Sequence, residues 1–162
     1  MINCKTVNDK KLLRILEKIR SDVEDKYDTH CCTGTITASL FNDLDDTVNI
    51  HTRNTGNVVL DSASEVNEVK DEIGASRCSN ASIYTPDFLM DWHTNSNHKG
   101  RRVYISYSYG DTIFRYKSDA GIKDIIEPKN KWVIKCFTIP TDGLFWHCVA
   151  TNSYRITLGF VI

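Results

Sequence analysis

Residues 131–162 hold three runs rich in β-branched and aromatic side chains: Lys131 to Ile139, Leu144 to Ala150 and Tyr154 to Ile162. The separators, Pro140-Thr141-Asp142-Gly143 and Thr151-Asn152-Ser153, are composed of turn formers. Three such runs with short connections predict a β-meander, so any fold open to this chain must give a sheet to its C-terminal part.

Helical periodicity enters at the other end. Leu12, Leu16, Ile19 and Val23 recur at spacings of three and four, with Leu13 and Ile15 widening the stripe and lysines and acids opposite. This predicts a helix over residues 9–23 with one buried face, capped by Thr6 or Asn8. A strand is expected from Thr33 to Phe41, then a polar turn at Asn42-Asp43-Leu44-Asp45-Asp46 and a second strand from about Val48, together a hairpin. Ser62 and Glu65 have capping-box spacing ahead of Val66, Val69 and Ile73, and Gly74 can end that helix. Further strands are predicted over Ile83 to Trp92, Arg102 to Ser108 and Thr112 to Tyr116, and a short helix over Ala120 to Ile126, stopped by Pro128. The alternation of helices and strands is an α+β pattern in a single domain, residues 1–162.

A chain of 162 residues suits one core, and should bury roughly 70% of the surface its unfolded form exposes. The net charge of −1 gives no bulk electrostatic reason to expect nucleic acid. The one basic cluster, His98-Lys99-Gly100-Arg101-Arg102, reads as a solvated loop, with contact to phosphate or to an acidic protein face as its sharper use. No apolar run approaches the roughly 20 residues that span a bilayer. Met1-Ile2-Asn3-Cys4-Lys5 lacks the apolar core of a secretion signal, so the cytosol or nucleus is the expected location. The six cysteines show no C-x-x-C spacing and are expected to be reduced and mostly buried. His30-Cys31-Cys32 with His147-Cys148 could share a metal only through one of the adjacent cysteines, because neighbours on a strand point to opposite faces. Cys31 or Cys32 with His147 as a hydrolase pair lacks the Gly-rich elbow or local signature that such nucleophiles carry. The wealth of Asn, Asp, Ile, Lys and Tyr has the flavour of an AT-rich genome, as in many large DNA viruses.

The segment from Trp92-His93-Thr94-Asn95 to Ser108-Tyr109-Gly110-Asp111 bears on chemistry. It resembles the JAMM (MPN-type) metalloprotease family, in which a His-x-His stretch at a strand end and a Ser-x-x-Asp segment build a zinc site and an upstream glutamate is the base. The resemblance covers residues 8 to 115. It implies a curved mixed β-sheet flanked by helices, with His93 and Asp111 as metal ligands and Ser108 as the oxyanion donor. Asn95 falls on the second histidine, and an amide oxygen is a weak ligand for zinc. The twelve residues between Asn95 and Ser108 exceed the family's spacing, and the proline after the histidines is absent. Cys31, in Thr29-His30-Cys31-Cys32-Thr33-Gly34, stands where the glutamate belongs, and a thiol does not readily both take and return the proton of a metal-bound water.

Loss of two essential groups makes a pseudoenzyme the expectation: a JAMM-like scaffold or protein-interaction module without cofactor, pairing with another copy or another protein, with a minor structural place in a large DNA virus particle as one setting. The strands of residues 131–162 and the aromatic run Tyr104 to Tyr109 are its expected contact surfaces, whereas Trp92, Trp132 and Trp146 are expected in the core. The alternative is a zinc-dependent isopeptidase using His93 and Asp111, with His98 as a substitute ligand and Asp28 or Asp91 as base.

Overall fold

The computed structural model describes residues 2–43, 57–94, 99–141 and 144–162. Its first helix, α1 (Lys10–Glu24), begins one residue later than the stripe suggests, because Asp9 is the cap and accepts the Leu12 N–H at 2.8 Å. The second helix, α2 (Ala63–Glu72), starts after Ser62. The Ser62 hydroxyl bonds Asp22 of α1 at 3.0 Å instead of its own helix end, so it ties the two helices together. Gly74 takes a positive φ of 66° just beyond the helix.

Ten strands among the described residues complete the fold. They are β1 (Asn3–Thr6), β2 (Asn57–Val59), β3 (Arg77–Tyr84), β4 (Phe88–His93) and β5 (Gly100–Ser108), followed by β6 (Thr112–Ser118), β7 (Gly121–Ile126), β8 (Trp132–Ile139), β9 (His147–Thr151) and β10 (Arg155–Val161). They form two sheets, β1-β8-β5-β10-β3-β2 and β4-β9-β6-β7, and every strand pair is antiparallel. Leu12, Leu16, Ile19 and Val23 of α1 and Val66 and Val69 of α2 pack with Ile83, Val103, Ile105, Ile156, Leu158 and Phe160 of the larger sheet. The opposite face of that sheet meets the smaller one.

This β-rich, two-sheet arrangement corrects the expected α+β fold of JAMM type. A mixed sheet with helices around it is replaced by antiparallel sheets, and both helices lie in the core cluster on one face of the larger. Part of the difference comes from residues 120–126. Ile122, Ile125 and Ile126 have helical spacing, yet the segment is β7, zipped to β6 from Ile113↔Ile126 to Ser118↔Gly121. Cross-strand pairing overrides the weak local preference.

The expected meander is also corrected. β8 lies between β1 and β5, β9 between β4 and β6, and β10 between β5 and β3, so the chain changes sheet twice within its C-terminal strands and none of the three is an edge. The strand expected over Ile83 to Trp92 divides between sheets as well. Asp87 sits at φ 64°, and the Phe88 N–H closes a turn onto the Thr85 carbonyl at 3.2 Å. Between Thr33 and Phe41 there is no regular strand among the described residues, only a 3-10 turn at Ala38–Leu40. Its side chains Ile36 and Phe41 cover Trp92, Ile113, Trp146 and Cys148 on the outer face of the smaller sheet. The strand expected from Val48 lies outside the described residues.

Candidate functional site

Alternation along β5 separates two environments. Val103, Ile105 and Tyr107 point to the helices, whereas Ser106 and Ser108 point between the sheets, where both hydroxyls donate to Glu127, at 3.0 and 3.1 Å. Glu127 directly follows β7 of the smaller sheet. Its carboxylate also accepts Arg155 Nε at 3.1 Å, Arg155 Nη2 at 2.9 Å and Lys135 Nζ. Lys135 donates further to Ser106 at 2.8 Å. All these side chains are buried. The Lys135 ammonium lies over the Phe114 ring at 5.5 Å and the Arg155 guanidinium over Tyr84 at 5.3 Å, so aromatic faces share the charge that one carboxylate leaves over. Burial alone would raise the Glu127 carboxyl, but Arg155 and Lys135 outweigh it and hold the group well below the usual carboxylate range. The cluster spans both sheets and acts as a polar clamp between them.

Beside the clamp is a cavity of about 120 Å³, lined in part by Met90, Tyr104, Phe114, Arg155 and two histidines. His93 of β4 and His147 of β9 are cross-strand neighbours with ring centroids 4.1 Å apart. Nδ1 of His93 lies 2.9 Å from the Asp91 carbonyl, and Nδ1 of His147 lies 3.0 Å from that of Phe145. A carbonyl can only accept, so each Nδ1 carries hydrogen and in the neutral ring Nε2 is the acceptor. Burial pushes both imidazoles below the ordinary histidine range, and His147 is lowered further by the proximity of His93.

The site residues read from the motif are not gathered. His93 pairs with His147 at one end of β9, while Asp111 adjoins Thr112, which pairs with Thr151 at the other end. Four residue-to-residue steps of strand separate these ends, roughly 13 Å. Ser108 is committed to Glu127. Asp111 is ion-paired with Lys129 at 2.9 Å and accepts the Asn152 amide at 3.2 Å. Asp91 is buried and accepts Asn42 Nδ2 and the Trp92 N–H, at 2.6 and 2.8 Å. Cys31 is exposed. Asn95 and His98 lie outside the described residues. Among the described residues no cluster of three or more His, Cys, Asp or Glu side chains is placed to hold a metal.

Two surface expectations change too. Tyr107 is buried in the helix-side core, with the Arg20 guanidinium 5.6 Å from its ring centre, so it forms no exposed aromatic patch. Arg102 belongs to β5 and is buried, not part of a solvated loop. The three tryptophans are core, as expected. Sequence reasoning missed Glu127, Lys135, Arg155 and the role of His147. A signal was present: Lys135 lies within, and Arg155 at the start of, a strand with no other charged residue, and a charge in such a run needs a buried partner.

No protein-family model matches the chain, and no curated protein matches its sequence. The likeness to JAMM domains therefore rests on the motif residues alone. Among the described residues no helix is long and apolar enough to cross a membrane.

Proposed function

We propose that this chain is a non-catalytic protein-interaction module that engages partners through the edge strand β7. The observation that carries the reading is the exposure of that strand. Among the described residues β7 ends the smaller sheet, and it is exposed over nearly its whole length, with Ile122 46% and Ile126 66% accessible on one face. An edge strand with unpaired backbone groups and apolar side chains is a template for strand addition. The motif residues support the same reading by what they do: Ser108 serves the inter-sheet clamp and Asp111 holds Lys129. A partner of this kind would be another subunit of a cellular or viral assembly.

The test is capture of cross-linked partners from the native cell by the full tagged chain, beside an Ile122→Lys/Ile126→Lys variant of unchanged circular dichroism. Cross-links that map to β7 and vanish in the variant support the reading. Capture unchanged in the variant overturns it.

A further inference from the structure

We infer that the occupant of the β7 edge is a second copy of this chain, paired antiparallel about Asp124; this rests on the interaction-module reading and names its partner. Register selects this pairing. On β7 the outer face carries Ile122, Asp124 and Ile126, opposite Lys117, Arg115 and Ile113 of β6. A two-fold axis perpendicular to the sheet keeps outer faces together, so a residue can oppose only a residue of the same parity on the partner strand. Centring the axis on Asp124 sets Ile122 of each copy against Ile126 of the other. Two exposed apolar side chains per copy then cover each other. Centring it on Lys123 would instead put Ile122 against Asp124, and centring it on Ile125 would put Ile126 against Asp124 and Ile122 against Pro128.

Asp124 would meet its symmetry mate at the axis, which by itself is unfavourable. Each Asp124 already receives two bonds from its own Arg115, Nε at 2.7 Å and Nη2 at 2.9 Å, so the row across the junction reads Arg115, Asp124, Asp124, Arg115 and is neutral overall. The product is a continuous antiparallel sheet in which β7 is no longer an edge.

The experiment is sedimentation equilibrium of the full reduced chain over a wide concentration range, with a photo-crosslinking phenylalanine derivative at position 122 in a parallel sample. Expected are a reversible dimer, a cross-link from position 122 to the peptide holding Ile126 of the other copy, and roughly tenfold or greater weakening in Ile126→Lys. Both side chains are exposed, so the lysine variant should keep its fold, and its thermal transition verifies this. A monomer at all concentrations overturns the second-copy inference, as does a dimer that ignores Ile126→Lys or cross-links elsewhere. Failure of the inference is separable from failure of the module reading, because a monomer whose β7 still captures a different protein removes only the former.

Discussion

His93 and His147 face each other across β4 and β9 with ring centroids 4.1 Å apart, each with Nδ1 tied to the backbone carbonyl two residues before it. A buried imidazole, His147, in contact with a half-buried one, His93, makes stability depend on pH. In the unfolded chain each ring protonates near pH 6.5, whereas in the folded protein burial lowers both values. Below about pH 6.5 the unfolded state binds more protons, so the stabilisation is complete above that pH and declines as pH falls. The decline is at most about 1.4 kcal/mol per pH unit per ring. Urea unfolding at neutral and mildly acid pH should show it, and His147→Phe should flatten the slope. A profile flat through this range in the parent would contradict the burial described.

Glu127→Gln should be the most damaging of the polar substitutions. It leaves Lys135 and Arg155 buried without their carboxylate, a loss of about 3–5 kcal/mol by analogy with other broken buried pairs. Lys135→Met in the same background should recover part of the loss, and a double-mutant cycle measures the coupling. Because the Glu127 carboxyl is held low, its contribution is present above about pH 4.3 and is lost on further acidification.

Ser108→Ala removes one of the donors to Glu127 and should cost about 1 kcal/mol. Asp111→Asn alters a solvent-exposed pair and should stay within about 0.5 kcal/mol of the parent. Elemental mass spectrometry on these and on His93→Ala should give the metal content of the parent in each. About one zinc per chain, lost in both His93→Ala and Asp111→Asn, would instead bring the isopeptidase alternative back.

Asp9→Ala should destabilise by about 1 kcal/mol through loss of the α1 cap. Ile19→Ala, in the middle of the helix-to-sheet core, should cost about 2–5 kcal/mol. Chemical denaturation ranks the two, and the reverse order would mean α1 packs less tightly than its buried stripe indicates.

The sequence made the amphipathic helices and most strands legible because those patterns are local. Leu12, Leu16, Ile19 and Val23 form the buried stripe of α1, and β5, β6, β8, β9 and β10 all lie near their predicted runs. Partnership is not local. Nothing in Trp132 to Val161 says that β9 belongs to a different sheet from its neighbours, and the turn at Thr85 to Asp87 that divides one predicted strand depends on which sheet waits on each side. The site failed for the same reason. The spacing of His93-Thr94-Asn95 and of Ser108 to Asp111 could be read, but the distance between His93 and Asp111 is set by where β4 and β6 lie along β9. His147 and Arg155 acquire their roles only through strands far away in the chain.

The placement of β9 and β10 also orders events during synthesis. Both lie inside their sheets, yet of the described strands they leave the ribosome last. Until residue 151 has emerged, β4 and β6 flank an empty lane, and until residue 161 has emerged, β5 and β3 lack the strand between them. A nascent chain thus holds open-edged fragments until residue 161 has emerged, and only then can both sheets close, a delay that a holding chaperone should bridge. A chain cut anywhere before residue 147 loses the inner strand of both layers at once, so it should yield no folded half.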